Sequence, residues 1–519
     1  MGQPDTPISV HSTAVPTVPA ADKTATEQRL GRRAVAAGQL VAHVKRSVVR
    51  DFNLVCVTWT PDSARRGTTV EVRTRSAGRW SGWSVLDPDL DGPTPQPDGG
   101  SVTSYRDGTE PSWVGPATGV EVSVFAVQGK APAALSVDTV DAGTSSYDKT
   151  VLTGKGRVAP SRDGKFPALP TVITRKEWGA DESLGDDCWD PKYGSTFKAV
   201  VVHHTAGSND YTQGEAAAVV RGVYAYHTEA RGWCDIGYNF LIDRFGDIFE
   251  GRAGGIRKPV RGSHSGDYNV DTTGISLMGN FDLTSPPAAM RAALVNLAAW
   301  RLGTAYHGAY GRPYLYDGRF KRILGHRDVM STSCPGQHVY DWLPTLRERV
   351  QTRLGDHETS IEEKWRSLGG RTSALGDVHV GEQVENGGHH TAFVNGRMYA
   401  SPAGIHTLYA GHILARYLST GETDGDFGYP RTNVHRIGDG LGYWAEFDGG
   451  RIYWSSPTGS HALHRSNVLK KYISVGGAVG ALGFPLSPVL DTAKGARAKF
   501  EHGSIIYDAS SHRTKVVRS

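Results

Sequence analysis

The amino-acid sequence predicts a multidomain protein built from an N-terminal β-sandwich, a central α/β domain whose mixed sheet is flanked by helices, and a C-terminal repeat domain. Three observations support this fold class. The chain has 519 residues, which is too long for a single hydrophobic core. Its first part is rich in β-formers, and its middle part alternates apolar strands with helical stretches. In its last part, related phrases recur at a nearly constant spacing.

The composition excludes two classes of partner. Hydrophobic residues make up 38% and charged residues 21% of the chain, which is ordinary for a globular protein. A net charge of +4 gives no concentrated basic face, so we expect no nucleic-acid partner. No run of about 18 or more apolar residues occurs, so we expect no membrane span. We also expect a monomer.

Residues 1–39 are rich in Pro, Thr and Ala and are predicted to be a disordered leader. They lack the basic segment followed by an apolar segment that marks a signal peptide. The protein is therefore either cytoplasmic, or an export signal has been removed and Met1-Gly2 is a remnant of cloning.

Residues 40–142 are predicted to form a small antiparallel sandwich. Phrases such as "LVCVTWT" (54–60) and "TVEVRTRS" (69–76) place β-formers between turn signals, without helical periodicity. The region contains no convergent cluster of His, Cys or carboxylate side chains, which favours a binding or spacer role. Residues 143–170 have the composition of a linker.

Residues 171–356 are predicted to form the α/β domain. Apolar strands such as "KAVVVHHTAG" (198–207) and "GISLMGNF" (274–281) alternate with helical stretches such as "PAAMRAALVNLAAWRLGTAYHG" (287–308). Alternation of this kind indicates a mixed sheet with helices on its faces.

Residues 361–510 contain an internal repeat. "FVNGRMYASPAGIH" from Phe393 returns as "FDGGRIYWSSPTGSH" from Phe447 and, shortened, as "FEHGSIIYD" from Phe500, a period of about 53 residues. Units of this length bury their apolar faces by stacking on one another, and such arrays usually bind a ligand rather than catalyse a reaction.

The segment "ILGHRDVMSTSCPG" (323–336) suggests a metal site. His326 and Cys334 lie eight residues apart, and imidazole and thiolate are good zinc ligands. A catalytic zinc needs three protein ligands and one open position. The third ligand could be His203 or His204, which point to opposite faces of a strand. Taken alone, His326 and Cys334 could instead be a loop histidine and a buried thiol with no metal between them.

The central domain resembles the zinc-dependent N-acetylmuramoyl-L-alanine amidases of the peptidoglycan-recognition-protein type, which are related to phage lytic amidases. Five motifs carry the resemblance in order: "ITRKEWGA" (173–180), "VVHHTAG" (201–207), "GWCDIGYNFLIDRFGDIFEGR" (232–252), "GSHSGDYNVDTTGISLMGNF" (262–281) and "ILGHRDVMSTSCPG" (323–336). The resemblance implies an amidase domain with a mixed central sheet flanked by helices and a Zn²⁺ ion in a groove.

The resemblance also implies roles for individual residues. The zinc ligands would be His203, His326 and Cys334, which leaves His204 on the opposite face of its strand. Tyr238 matches the family's catalytic tyrosine. Thr332 matches a position where recognition proteins carry threonine and phage relatives carry lysine, so the means of oxyanion stabilisation stays open.

Three further residues match groove positions and are expected to contact substrate: His264, Asn269 and Arg252. A surface role for His264, and turn or salt-bridge roles for the other two, remain as alternatives.

Two cysteines of the central domain, Cys188 and Cys234, match no zinc ligand. A protein that acts on peptidoglycan works outside the membrane, where disulfides persist. We therefore predict a Cys188–Cys234 disulfide, a secreted or cell-wall location, and a buried free thiol at Cys56.

The C-terminal domain resembles the LGFP repeats of actinobacterial cell-wall proteins, through "LGFP" at 482–485 and "FGYP" at 427–430. The resemblance implies attachment to a cell-envelope polymer. Aromatic side chains of the repeats could stack on sugars or pack the repeat cores.

Two functions follow from these resemblances. The first is zinc-dependent hydrolysis of the amide bond between N-acetylmuramic acid and L-alanine of peptidoglycan. The second is peptidoglycan binding without cleavage. Binding-only relatives typically lack the third ligand, so the presence of Cys334 favours the enzyme.

Overall fold

The computed structural model describes residues 6–23, 26, 38–61, 67–89, 105–149, 167–185, 190–355, 358–385, 387–438 and 440–519. The chain divides into two compact units, Met1–Gly303 with His307–Gly355, and Thr304–Tyr306 with Asp356–Ser519. Within the described ranges, no helix is both long and apolar enough to cross a membrane.

The N-terminal part of the first unit is a β-sandwich, as predicted. Its strands are β1 Ser9–Ala14, β2 Gln39–Arg46, β3 Phe52–Trp59, β4 Thr68–Ser76, β5 Arg79–Trp80, β6 Ser84–Leu86, β7 Pro88–Asp89, β8 Asp107–Thr109, β9 Ser112–Ala117, β10 Gly119–Ala126 and β11 Ser136–Asp141. One antiparallel sheet has the order β1-β11-β3-β8-β7, with β9 also paired to β3. The other has the order β2-β10-β4-β5, with β6 paired to β4.

The predicted disordered leader is wrong for Ser9–Ala14. These residues pair along the edge of the first sheet, from Ser9 opposite Asp141 to Ala14 opposite Ser136. Val10 packs against the buried core. The Pro- and Thr-rich flanks hid this short alternating segment in the sequence.

The central part of the first unit has the predicted mixed sheet flanked by helices. Its strands are β12 Val172–Ile173, β13 Ala199–His204, β14 Phe240–Ile242, β15 Ile248–Glu250, β16 Thr272–Leu277, β17 Tyr314–Leu315, β18 Gly318–Arg319 and β19 Ile323–Gly325. Its helices are α1 Arg175–Trp178, α2 Ala216–Ala225, α3 Ala288–Thr304 and α4 Gln337–Leu354. The main sheet has the order β12-β15-β14-β16-β13-β19, and only β14 and β15 pair antiparallel within it.

The sandwich and the central domain share one apolar core. Leu54 and Trp113 of the sandwich are buried in the same cluster as Val220 and Tyr224 of α2. The helix approaches closely because it carries Gly222, where an added Cβ would lie 3.0 Å from Leu54 Cδ1. The sandwich is therefore packed onto the central domain rather than tethered to it.

Arg221 of α2 reinforces this junction. Its fully buried guanidinium donates to the carbonyl oxygens of Ala142, Gly143 and Trp178 and forms an ion pair with Asp148 at 2.7 Å. Asp148 lies in the 3-10 turn Ser146–Lys149, inside the predicted linker, of which residues 150–166 lie outside the described ranges.

The second unit contains three successive four-stranded antiparallel sheets. Their strands are β20 Val378–Glu385, β21 Gly388–Phe393, β22 Gly396–Ser401, β23 Gly404–Tyr409, β24 His435–Ile437, β25 Gly442–Phe447, β26 Gly450–Ser455, β27 Gly459–His464, β28 Leu490–Thr492, β29 Gly495–Phe500, β30 Gly503–Asp508 and β31 Arg513–Arg518. A helix precedes each sheet: α5 Ser360–Ser367, α6 His412–Ser419 and α7 Asn467–Ser474.

The repeated Leu/Phe-Gly phrase is a turn tied to the preceding helix. In each repeat, an aromatic side chain of the helix donates a hydrogen bond to the carbonyl of a glycine eleven residues later: Trp365 to Gly376, Tyr417 to Gly428, and Tyr472 to Gly483. All three glycines have positive φ, at 75°, 57° and 69°, where a side chain would be strained. This geometry explains why the glycine recurs.

Neighbouring repeats share their cores. Tyr399 of β22 contacts Tyr417 of the next helix with ring centroids 5.6 Å apart, and Tyr453 of β26 contacts Tyr472 in the same way at 5.5 Å. These equivalent contacts agree with a stacked repeat array.

We predict that Arg221→Met lowers the free energy of unfolding by about 3–5 kcal/mol, because it leaves Asp148 and three carbonyl groups without their buried partner. Urea unfolding followed by circular dichroism measures this change. Arg79→Met, at an exposed arginine of the sandwich, is the matched control and should change it by less than about 0.5 kcal/mol. An equal, small effect of both substitutions would contradict the role of Arg221 at the junction.

Candidate metal centre

Strand register brings two histidines together at one edge of the central sheet. Strand β13 lies between its parallel neighbours β16 and β19. Val202 is paired with Gly325, so His203 of β13 and His326, the first residue after β19, lie side by side. They are at the carboxyl edge of the sheet, where open α/β sheets usually bind ligands. The two imidazole rings have centroids 4.4 Å apart.

Cys334 completes a group of three potential metal ligands. One ligand atom from each of His203, His326 and Cys334 lies within 4.8 Å of the others, and all three side chains are buried. His203 Nδ1 is 3.7 Å from Cys334 Sγ. Nitrogen and sulfur ligands on a tetrahedral zinc would be about 3.6 Å apart. The donor set and its spacing therefore fit a zinc ion.

The backbone supports the sulfur as an acceptor. The amide N–H of His204 donates to Cys334 Sγ at 3.3 Å, and hydrogen bonds to sulfur favour the thiolate form that binds metals. Burial lowers the pKa of His203 well below its ordinary value, so its imidazole is neutral and keeps a lone pair for a cation.

His204 lies on the other face of β13, in a group with Asp87 and Asp282. Its Nδ1 accepts the backbone N–H of Phe281 at 3.2 Å. A neutral imidazole whose Nδ1 accepts carries its proton on Nε2. One ring nitrogen of His204 and one carboxylate oxygen of each aspartate lie within 4.8 Å of one another, so this group is separate from the one around His203.

His264 lies behind His203 and fixes its orientation. His264 Nδ1 is 3.1 Å from His203 Nε2, so His203 can donate from Nε2 while Nδ1 faces the metal group. The His264 ring is held in a slot between Gly262 and Gly274, where an added Cβ on either glycine would lie 2.4 Å from His264 Cδ2. Burial lowers the pKa of His264 to about 3, which keeps its imidazole neutral.

Tyr238 lies beside the metal group. Its ring centroid is 5.3 Å from that of His203, and its hydroxyl donates to Glu110 Oε2 at 3.4 Å. Burial, and then the charge of Glu110, raise the pKa of Tyr238 well above its ordinary value. The phenol therefore keeps its proton.

The structure places the other predicted site residues in loops around this centre. Thr332 is partly exposed, and its Oγ1 accepts the N–H of Cys334 at 3.1 Å. Asn269 is fully buried and accepts the N–H groups of His264 and Ser265. Arg252 is buried and donates to the carbonyl of Ile236. Their predicted roles toward substrate stay predictions.

The two predictions about cysteine pairing have different outcomes. Cys56 is a buried free thiol, as predicted. Cys188 lies outside the described residues, so the Cys188–Cys234 disulfide stays a prediction.

Sequence reasoning missed two side chains at this site. His227 lies in a π-helical turn, Tyr226–Ala230, that follows α2, and its ring stacks on Trp233 at 4.6 Å and contacts Tyr238 edge-on. Such turns are often found at functional sites, but they have no sequence signature. Glu110 comes from the sandwich, and only the packing of the two domains reveals its position.

Family models match three parts of the chain. Residues 193–337 match the N-acetylmuramoyl-L-alanine amidase family. Residues 8–143 match a family described as Rv3811 N-terminal galactose-binding domain-like, and residues 427–480 match the LGFP repeat.

Similar curated proteins align with the central region. Peptidoglycan-recognition protein SC1a/b of Drosophila simulans is 34% identical over 170 residues, which cover 33% of this chain and 82% of the relative. Peptidoglycan recognition protein 1 of Bos taurus is 39% identical over 172 residues, with coverage of 33% and 80%.

Among solved structures, Drosophila PGRP-LB is 28% identical with a TM-score of 0.28, covering 37% of this chain and 98% of its own. The amidase LysC from Clostridium intestinale is 23% identical with a TM-score of 0.24, covering 30% and 89%.

We predict that His264→Phe weakens zinc binding by about 10–100-fold, because it removes the acceptor that orients His203. Competition with a chromogenic chelator measures the dissociation constant. His502→Phe, at an exposed histidine of the repeats, is the control and should leave it unchanged. Equal zinc affinity of wild type and His264→Phe would show that His203 does not depend on this neighbour.

Proposed function

Because the chain belongs to the family of peptidoglycan-recognition proteins and N-acetylmuramoyl-L-alanine amidases, we propose that it hydrolyses the amide bond between N-acetylmuramic acid and L-alanine of peptidoglycan. One observation carries this proposal. His203, His326 and Cys334 converge within 4.8 Å, and Tyr238 lies beside them. A protein that only bound peptidoglycan would have no need for a thiol in that group.

The cofactor of the proposed reaction would be zinc, which His203, His326 and Cys334 would hold. A zinc ion with three protein ligands polarises a carbonyl oxygen and lowers the pKa of a bound water to about 7. The chain's own contribution is to fix this geometry. The strand register places His203 beside His326, the His204 amide donates to the sulfur, and His264 faces the outer nitrogen of His203.

Two side chains would act on the reacting atoms. The Tyr238 ring lies beside that of His203. Its hydroxyl would orient the attacking water or stabilise the oxyanion, depending on where its hydrogen points. Thr332 Oγ1 accepts the N–H of Cys334, so its own proton can be donated to a substrate oxygen. Thr332 thus supplies the donor that lysine would supply in the phage pattern.

The repeats would hold the enzyme at its polymeric substrate. LGFP repeats support association with the cell wall, and exposed ring surface is available on Tyr443 of β25. That ring stacks on Trp454, which stacks in turn on His412. Aromatic faces of this kind are suited to sugars. At the cell wall the protein would work outside the membrane, where the Cys188–Cys234 disulfide would persist.

Digestion of purified peptidoglycan tests the proposal. We expect wild-type protein to release stem peptides that begin with L-alanine, identified by mass spectrometry. Cys334→Ala and prior zinc removal should each lower this release by more than the roughly 100-fold expected for loss of an outer-sphere partner. Cys334→Ala should still sediment with cell walls, because the repeats are unchanged.

Cys56→Ala is the matched control, because it removes a buried cysteine of the sandwich, and it should leave the release unchanged. Wall binding by wild type without any release would instead support a binding protein. Cleavage within the stem peptide would contradict the proposed bond.

A further inference from the structure

The N-terminal sandwich contributes a side chain to the candidate catalytic centre. The turn between β8 and β9 carries Glu110 and Pro111 and lies against the loop that follows β13. An added Cβ on Gly207 of that loop would be 3.2 Å from Pro111 O and 3.3 Å from Trp113 N. The metal-site loop and the turn therefore touch through their backbones.

The turn is fixed by buried contacts on both sides. Tyr226 donates to the carbonyl of Thr109 at 2.5 Å, and an added Cβ on Gly108 would lie 2.7 Å from the same tyrosine hydroxyl. On the adjoining strand β7, Asp89 forms an ion pair with the fully buried Arg231 at 2.7 Å. A displacement of the turn would break an ion pair between two nearly inaccessible side chains, which is costly.

The same edge of the sandwich reaches the cysteine ligand. Ser333, next to Cys334 in the chain, donates its hydroxyl to Asp87 Oδ2 at 3.2 Å. Two separate points of the N-terminal domain thus contact the loops that carry Tyr238 and Cys334. The N-terminal domain is therefore not a spacer that a linker merely connects to the central domain.

The hydrogen bond between Tyr238 and Glu110 determines whether the tyrosine oxygen acts as a donor or as an acceptor toward other groups. A phenol carries one proton and can also accept, whereas an ionised carboxylate only accepts. Because the Tyr238 hydroxyl donates its hydrogen bond to the nearly buried Glu110, its oxygen presents lone pairs to other groups. An oxygen in this state accepts a hydrogen bond from a water molecule but cannot stabilise an oxyanion.

We propose that Glu110 of the N-terminal domain is a positioning residue for the amidase reaction, which holds Tyr238 as a hydrogen-bond acceptor for the attacking water. This inference rests on the proposed function. It assigns oxyanion stabilisation to Thr332 rather than to Tyr238, and it makes the catalytic centre incomplete without the first domain.

A double-mutant cycle on the full chain tests the inference. Glu110→Ala should lower kcat for stem-peptide release by about 10–100-fold, as expected when an oriented group is misplaced, and should change KM less than about 2-fold. In a Tyr238→Phe background the same substitution should have less than about a 2-fold effect. Glu110→Gln should recover part of kcat, because its amide oxygen still accepts.

Glu71→Ala is the control, because Glu71 is also a buried glutamate of the sandwich but lies on the other sheet. It should leave kcat unchanged, and zinc content should be equal in all variants. Unchanged or increased kcat in Glu110→Ala would overturn the inference, and an increase would identify the turn as a lid over the centre. The inference would also be overturned if the losses of kcat caused by Glu110→Ala and Tyr238→Phe were additive in the double mutant.

A second measurement does not depend on hydrolysis. With 3-fluorotyrosine at position 238, the ¹⁹F resonance should move in Glu110→Ala and stay in place in Glu71→Ala. If wild type releases no stem peptide, the proposed function fails, and with it the catalytic role of Glu110. If wild type is active but the resonance is unmoved, the inference alone fails.

Discussion

The candidate site depends on the parallel pairing of β13 with β19. This register sets Val202 opposite Gly325 and so places His203 beside His326. Side chains alternate across a strand, and a shift of one residue would present His204 in place of His203. The fully buried apolar residues of β13 resist such a shift. The hydrophobic core therefore determines which histidine can bind a metal.

The N-terminal domain packs directly onto the domain that holds the candidate site. An apolar cluster passes without a break from the sandwich to α2, and Arg221 binds the carbonyl groups at the end of the sandwich. Such a rigid junction can hold the carboxylate of Glu110 within hydrogen-bonding distance of Tyr238. A flexible linker could not hold Glu110 at a fixed distance from Tyr238, and the proposed orientation of a water molecule requires such fixed geometry.

The sequence predicted the fold of each of the three parts of the chain. Through the family motifs it also predicted that His203, His326 and Cys334 meet at the candidate metal centre. The folds and the site residues could be predicted because they depend on short sequence motifs and on strands with a strong apolar pattern. The sequence did not predict Glu110 or Asp87 near the centre, because each depends on a contact between domains far apart in the chain. Strand β1 was missed because one edge strand gives a weak alternating signal, and His227 because a π-helical turn has no distinct pattern.

The central claim is that two histidines and one cysteine bind a single zinc ion. X-ray absorption at the zinc edge of the purified full chain tests it most directly. The account predicts one zinc per chain, with one sulfur at about 2.3 Å and two imidazole nitrogens at about 2.0–2.1 Å. The sulfur contribution should vanish in Cys334→Ala. A wild-type spectrum that contains only nitrogen and oxygen neighbours would contradict the claim.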